Sequence, residues 1–287
     1  MPRRTLLTLP ALGAAAVGLT VLVRGGVGPE EVPPMPEGVR EPQRHDYGSD
    51  PSQFGELTLP AGVPRGVAVV VHGGFWKTAY GIEYARPLVP SLVEQGWATW
   101  AIEYRRVGKG EGGGGGNPET FDDVRIAIEE LDELVLGVDP STVPVVGIGH
   151  SAGGHLVAEL VATDWQAYGL PADVIRSATA ISGLFDLAPL IETSINVELG
   201  LDKESARRFS PLYRPPRTGA ALTVAVGADE TDEFLRQSRV YAERCRAQGH
   251  DCDLLCLEAC NHYTVLSQLA DAGAPLTRAM LSQMGLG

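Results

Sequence analysis

The sequence predicts an α/β domain in which helices cover both faces of a mostly parallel central sheet. Apolar runs such as GVAVVV, at residues 66–71, show no polar alternation, which is typical of strands buried on both faces of a parallel sheet. These runs alternate along the chain with segments of helical spacing, the pattern of successive βα units. With 287 residues, 44% of them hydrophobic, the chain is long enough to bury the core of one large domain.

The predicted elements follow one another from residue 66 onward. Buried strands are predicted at residues 66–71, 97–104, 143–148, 177–182, 221–227 and 252–257. Helices are predicted at residues 84–95, 118–136, 151–163 and 232–248, followed by a mostly helical segment at 264–284. Short polar and apolar pieces at residues 184–219 interrupt this alternation, so we expect a small cap inserted at that point.

Residues 1–26 are predicted as a signal peptide or membrane anchor. Arg3 and Arg4 precede an uncharged apolar run at residues 6–23, and the start resembles a bacterial twin-arginine signal. The run is also a candidate membrane tether, although 18 residues are few for a spanning helix. We therefore expect an exported or membrane-anchored protein of the bacterial cell envelope or extracellular space, with a cytoplasmic location as the alternative.

The segment that follows is predicted as a tether. Residues 27–55 are rich in proline and glycine and show no periodicity, and their last part is expected to wrap onto the domain. No internal repeat is visible in the rest of the sequence. The α/β domain is therefore expected at residues 56–287.

Charge and cysteine content restrict the classes of partner. The formal net charge is −13 and no basic cluster is large enough for a nucleic-acid interface. The four cysteines lack the paired C-x-x-C spacing of a zinc site, so no metal is predicted. Buried, unpaired thiols are the favoured interpretation, with Cys245 and Cys252 among the candidates for a disulfide in an oxidising compartment. A small-molecule substrate is the expected partner.

The segment Gly149-His150-Ser151-Ala152-Gly153 predicts a nucleophilic serine. It has the pattern G-x-S-x-G and stands between a predicted strand and a predicted helix, which is the context this motif requires. The chain must turn so sharply there that only glycines leave room on either side of Ser151. The hydroxyl is then expected above the sheet, at the N-terminus of the following helix.

Two further features predict the groups that would hold an oxyanion. His72-Gly73-Gly74 ends the first buried strand, and successive glycines let backbone amides approach a substrate without a side chain between them. We assign the amides of Gly73, Gly74 and Ala152 to an oxyanion hole. His72 is interpreted as a structural histidine.

His262 is the predicted general base. It follows the last predicted strand, where a loop can bring an imidazole over the serine, and it stands last in the order serine, acid, histidine. His150 and His155 come too early in the chain for this role and are interpreted as structural.

The acid is less clearly defined, because four carboxylates lie between residues 229 and 233. Asp232 and Glu233 suit the first turn of a helix, where negative charge is favourable. Spacing of three residues after Gly227 favours Glu230 as the acid that orients His262, with Asp229 as the alternative.

The region from residue 56 to residue 284 resembles an α/β hydrolase of the arylformamidase (kynurenine formamidase) and esterase group. The segments that carry the resemblance are HGGFW at 72–76, GHSAGGHL at 149–156, SGLFDLAPL at 182–190, SINVELGLDKESARRFSP at 194–211, DETDEFLRQS at 229–238 and NHYTVL at 261–266. The resemblance implies the α/β-hydrolase fold and a serine hydrolase that needs no cofactor.

The same resemblance favours an N-formyl aromatic amine such as N-formylkynurenine as substrate. The alternatives are an exported carboxylesterase for small acyl or aryl esters and a non-catalytic, tethered binding protein with the hydrolase fold. Aromatic residues in or beside the motifs are candidates for substrate contact, namely Phe75, Trp76, Tyr80, Phe185 and Tyr263.

Overall fold

The protein is described by a computed structural model that covers residues 33–135, 143–217 and 219–285, without the side chains of 132–135. Within these residues, eight strands form one sheet in the order β1-β2-β4-β3-β5-β6-β7-β8. Their bounds are β1 Gln43–Asp46, β2 Phe54–Thr58, β3 Val67–Val71, β4 Ala98–Ile102, β5 Val145–His150, β6 Ser177–Ile181, β7 Ala221–Gly227 and β8 Cys252–Leu257. Strands β3 to β8 run parallel, whereas β1 and β2 are antiparallel to their neighbours.

The six strands predicted from apolar runs are the six parallel strands of the sheet. Every residue of β3, β4 and β6 is buried, because helices cover both faces of the sheet and leave no solvated side. The predicted parallel sheet is therefore confirmed.

The sheet begins earlier than expected. Strands β1 and β2 lie largely within the segment predicted as a tether, and the predicted domain boundary at residue 56 falls inside β2. Strand β1 is mostly exposed at the sheet edge and pairs only with β2, so its sequence lacks the apolar run that marks a buried strand. The ladder between β2 and β4, rather than local composition, incorporates this segment into the domain.

Seven α-helices are described. They are α1 Val89–Glu94, α2 Glu119–Val135, α3 Ala152–Ala162, α4 Asn196–Leu199, α5 Lys203–Arg208, α6 Asp232–Ala247 and α7 Pro275–Gln283. Helices α2, α3 and α6 pack on one face of the sheet through residues such as Ile128, Leu156 and Tyr241. Helices α1 and α7 pack on the other face through residues such as Leu92 and Leu276.

Two predicted helices are divided in the structure. Residues 82–88 form two 3₁₀ turns before α1, and prolines at 87 and 90 lack the N–H that a continuous helix would require. The last predicted helix consists of a 3₁₀ segment, Thr264–Ala270, and then α7, which starts at Pro275 after a short loop.

The predicted cap at residues 184–219 consists of short helical pieces, including α4 and α5, apart from residue 218, which lies outside the described chain. Its contacts with α3 include a hydrogen bond from His155 to the Phe209 carbonyl and an ion pair between Arg214 and Glu159. Glu198 of the cap forms an ion pair with Lys77, in the loop that follows β3, at 2.6 Å. The segment therefore contacts both α3 and the loop that follows β3.

The predicted signal or anchor at residues 1–26 lies outside the described residues. Across the part of the chain that the structure describes, no helix combines the length and apolar character needed to cross a membrane.

Candidate active site

The site lies where the order of strands reverses. After β3 the chain forms β4 on one side of β3 and then returns to form β5 on the other side. At such a switch point, open α/β sheets usually bind a ligand in a crevice at the carboxyl edge, beside the loops that follow the two strands. Gly73 and Ser151 follow these two strands and so lie at that edge of the sheet.

Ser151 stands at a strained turn between β5 and α3. Its backbone has φ 57° and ψ −118°, and its N–H donates to the carbonyl of Ile181 at 2.8 Å. A Cβ atom on Gly149 would lie 2.2 Å from the carbonyl oxygen of Gly153, and one on Gly153 would lie 2.0 Å from that of Val71. The motif thus requires glycine at both positions for the steric reason inferred from the sequence.

The loop after β3 packs directly against this turn. A Cβ on Gly73 would lie 2.7 Å from the carbonyl oxygen of His150, and Gly74, Phe75 and Trp76 all have positive φ, of 103°, 52° and 56°. Three successive residues with positive φ make this loop strained, so surrounding contacts must hold it in that conformation. The strain at Phe75 and Trp76 was not foreseen from sequence, since neither residue type favours that conformation.

The amides predicted for an oxyanion hole are available. Within the described chain, the N–H groups of Gly73, Gly74 and Ala152 donate to no acceptor. Ala152 is the first residue of α3, where backbone N–H groups have no intrahelical partner and the helix dipole favours negative charge.

His262 connects the serine to a carboxylate. Its Nε2 lies 3.1 Å from the Oγ of Ser151, and its Nδ1 lies 2.8 Å from Oε2 of Glu230. Ser151 and His262 retain only 3% and 6% of their exposed surface, so these hydrogen bonds are shielded from water. The structure thus brings together three residues from the ends of β5, β7 and β8.

Glu230, and not Asp229, faces His262. The side chain of Glu230 is fully buried, whereas Asp229 is exposed and makes no side-chain contact with the imidazole. Burial alone would raise the pKa of Glu230, but hydrogen bonds from His262, Ser182 and the amide of Gly227 hold it below its usual value. Glu230 is therefore an ionised acceptor at neutral pH.

Two neighbours hold the imidazole of His262 in place. The ring of Phe234 lies 4.5 Å from it, and Nε2 of His150 lies 2.8 Å from the backbone carbonyl of His262. Burial, and then the proximity of His262, lower the pKa of His150 to about 3, so His150 is neutral and donates this hydrogen bond. These contacts agree with the structural role expected for His150.

A buried cluster supports the loop after β3. His72 stacks on Tyr104 at 4.2 Å, and its Nε2 lies 3.1 Å from Oε1 of Glu103. Burial raises the pKa of Glu103, yet His72 and Arg106 outweigh it and keep the carboxyl ionised. Sequence reasoning assigned His72 a structural role but missed Glu103, because nothing near residue 103 indicates its long-range partner.

The five aromatic candidates for substrate contact fall into two groups. Phe185 is fully buried and stacks on Tyr241 at 4.3 Å, and Phe75 and Trp76 are each only 6% exposed. Phe185 is thus placed in the core, since its ring has no surface to offer a substrate. Tyr80 and Tyr263 are half-buried, and Tyr263 lies edge-on to His262 at 5.7 Å. These two rings are the best placed to border the crevice.

No disulfide or metal site is found in the described residues. All four cysteines are free thiols, of which only Cys256 is exposed. Among the side chains that the structure describes, no group of three or more histidines, cysteines or carboxylates could hold a metal ion.

Comparison with known proteins shows the family to which the chain belongs. A model of the family described as "Alpha/beta hydrolase family" matches residues 68–280. The chain belongs to the α/β-hydrolase family. This membership confirms the fold predicted from sequence and supports hydrolase chemistry.

Within that family, the chain is similar both to kynurenine formamidases and to solved structures of thioesterase or esterase type. The kynurenine formamidase of Danio rerio is 28% identical over 249 residues, which cover 83% of this α/β hydrolase and 80% of that protein. The kynurenine formamidase of Salmo salar is 28% identical over 250 residues, with the same coverage of 83% and 80%. A solved structure from Silicibacter sp. TM1040, named as a candidate thioesterase, has a TM-score of 0.71 at 28% identity and covers 94% of this chain and 90% of its own.

A solved esterase of the bacterial hormone-sensitive lipase family shares the fold, with a TM-score of 0.69 at 19% identity, and covers 98% of this chain and 100% of its own. Together these relatives confirm the resemblance to the arylformamidase and esterase branch of the α/β hydrolases.

Proposed function

We propose that this α/β hydrolase is a serine hydrolase that cleaves a small acyl amide or ester through Ser151, His262 and Glu230. The observation that carries the proposal is the continuous line of hydrogen bonds from the Ser151 hydroxyl through the imidazole to a buried carboxylate, at 3.1 and 2.8 Å. Such a line activates a hydroxyl that is otherwise a weak nucleophile.

The proposed reaction has two stages. Ser151 attacks the carbonyl carbon while Nε2 of His262 accepts the hydroxyl proton, and Glu230 stabilises the resulting imidazolium. The free amides of Gly73, Gly74 and Ala152 hold the negative oxygen of the tetrahedral intermediate. His262 then gives its proton to the leaving amine or alcohol, and water releases the acyl group from Ser151 by the reverse sequence.

As substrate we propose an N-formyl aromatic amine of the N-formylkynurenine type. Two kynurenine formamidases align with the chain over 80% of their own length, which supports this choice over a generic amide. The half-buried ring of Tyr263 lies edge-on to His262, and the half-buried Tyr80 lies beside Gly74; both rings would suit an aryl leaving group. The near-complete burial of Ser151 favours a small acyl group.

The second candidate is a carboxylesterase for small acyl or aryl esters. Solved structures with this fold include several esterases, and the same serine, base and amides would serve an ester equally well. An exported or membrane-anchored location, through residues 6–23, is part of our proposal and would suit this alternative better than an intracellular catabolic role.

A substrate comparison tests the proposal. The protein without residues 1–26 would be assayed for kcat/KM on N-formylkynurenine and on p-nitrophenyl acetate, with Ser151→Ala as the control. We expect both activities to depend on Ser151 and the formamide to be the better substrate. Hydrolysis of the formamide no faster than by Ser151→Ala would exclude the formamidase and leave the esterase.

Fluorophosphonate labelling separates both enzymes from a binding protein. The probe forms a bond between its phosphorus and the Oγ of an activated serine, with loss of fluoride. We expect labelling of the folded protein at Ser151. A folded protein that resists the probe would be a non-catalytic, tethered binding protein instead.

A further inference from the structure

Ser182 is a strained and fully buried serine directly after β6. Its φ is 49°, a left-handed conformation that non-glycine residues adopt at a cost, and it has no exposed surface. Its N–H donates to the carbonyl of Ala225 at 2.7 Å, which fixes the backbone against the neighbouring strand β7. The strain therefore holds the side chain in one defined direction.

That direction leads to the acid of the proposed triad. The hydroxyl of Ser182 donates to Oε1 of Glu230 at 2.5 Å, the shortest of the hydrogen bonds that this carboxylate accepts. The amide of Gly227 donates to the same oxygen at 2.8 Å. Both donors thus bind Oε1, which leaves Oε2 to His262.

We propose that Ser182 is a positioning residue that fixes the orientation of Glu230 toward His262. The inference rests on the proposed serine hydrolase function, in which Glu230 is the acid. A glutamate has one more rotatable bond than an aspartate, and without Ser182 the Gly227 amide would be the single donor that restrains Oε1 against rotation about that bond. A second donor on Oε1, held rigidly by a strained backbone, restricts this rotation and keeps Oε2 aimed at Nδ1.

The hydrogen bond to Glu230 also gives a reason for serine at a position where glycine would be less strained. Glycine adopts positive φ without steric cost but carries no hydroxyl. If the backbone conformation alone mattered at residue 182, glycine would serve better than serine. The hydroxyl bonded to Glu230 is the feature that glycine lacks.

Two substitutions at this position separate positioning from simple stability. Ser182→Ala removes the hydroxyl and keeps the strain, whereas Ser182→Gly removes both. Ser238→Ala is the matched control, since Ser238 is fully buried on α6 and its hydroxyl has no partner in the described chain. Each variant, and Ser151→Ala, would be measured for Tm, for kcat and KM on p-nitrophenyl acetate, and for the rate of fluorophosphonate labelling across pH.

We expect both Ser182 variants to lose about 10- to 100-fold in kcat and in labelling rate, the range for one hydrogen bond to a charged group. KM should change little, because Ser182 does not border the crevice. Ser182→Gly should melt at a higher temperature than Ser182→Ala and yet be equally slow. A carboxylate that loses a donor is protonated more easily, so the acid limb of the labelling profile should move to higher pH in both.

Three outcomes decide the matter. Slow labelling by both Ser182 variants, with normal labelling by Ser238→Ala, supports the inference. Normal rates for both Ser182 variants would overturn the inference. So would a Ser182→Gly variant whose kcat and labelling rate rise together with its Tm, because Ser182 would then have only a structural role. Failure of the proposed function itself would look different, because the unmodified protein would then neither turn over the ester nor label at Ser151.

Discussion

Replacing Glu230 by glutamine should inactivate the enzyme by reversing the tautomer of His262. The hydroxyl of Ser182 and the amide of Gly227 both donate to Oε1, so the glutamine oxygen must occupy that position. Its NH₂ group then faces Nδ1 of His262, 2.8 Å away, where the carboxylate had accepted a hydrogen bond from the imidazole N–H. Nδ1 becomes an acceptor, and Nε2 carries its hydrogen toward Ser151 instead of accepting one.

The expected loss follows from this reversal. An imidazole in the wrong tautomer cannot act as base, and such a change in a serine triad lowers kcat by about 10⁴-fold. At 1.36 kcal/mol for each factor of ten, this corresponds to a barrier about 5 kcal/mol higher. Overall shape should be preserved, because glutamine matches glutamate in size and still accepts both hydrogen bonds at Oε1.

The assay is kcat on p-nitrophenyl acetate, with fluorophosphonate labelling as a second readout and Tm as a check on folding. Asp229→Asn is the matched control, because Asp229 is the adjacent carboxylate, is exposed and does not contact His262. It should stay within about twofold of the unmodified enzyme, as expected of a surface substitution. Normal turnover by Glu230→Gln together with collapse of Asp229→Asn would refute the assignment of the acid.

Three further predictions concern stability, pH and thiol reactivity. Gly153→Ala should abolish fluorophosphonate labelling and lower the free energy of unfolding by at least about 2 kcal/mol, because the added Cβ would lie 2.0 Å from the carbonyl oxygen of Val71. A variant with near-normal Tm and labelling rate would contradict this steric argument. Burial raises the pKa of Glu159 to about 7 despite its ion pair with Arg214, so the folded protein holds this proton where the unfolded chain, with a value near 4.5, has released it. The resulting stabilisation is complete below pH 4.5 and is lost as the pH rises through 7, so urea titrations should show the free energy of unfolding falling by about 3 kcal/mol over that range relative to Glu159→Gln. A relative free energy that stays flat or rises would mean that the ion pair outweighs burial. With a thiol reagent, Cys256 alone should react in the native protein and the other three cysteines only after unfolding, so more than one fast thiol would contradict their burial.

Much of the fold was predictable because its signals are local. The buried parallel strands have continuous apolar sequences, since both faces of such a strand contact helices, and their bounds were predicted to within a few residues. The turn at Ser151 was predictable for a similar reason. Its signal is the G-x-S-x-G pattern of five consecutive residues. Gly149 is required by a contact within them, with the carbonyl of Gly153, whereas Gly153 is required by the carbonyl of Val71 on β3.

Contacts between distant segments were not predictable from residue patterns. Strand β1 lies in a proline-rich segment and is recognised only through its ladder with β2. Phe185 belongs to a motif near the site, but its ring turns into the core against Tyr241. In both cases the local sequence does not indicate which distant segment will make the contact.

The proposed acid was narrowed down first by sequence spacing and then by the tertiary structure. Spacing from Gly227 favoured Glu230 over its neighbour Asp229, yet both carboxylates lie in the same turn. Only the tertiary structure decided between them, because adjacent side chains in a turn point in different directions and just one is buried against His262. The donor from Ser182 is likewise a tertiary feature, since it arises from the pairing of β6 with β7. The sequence by itself therefore determined the fold class and predicted the serine and the histidine, while the orientation of the carboxylate arose from packing between strands.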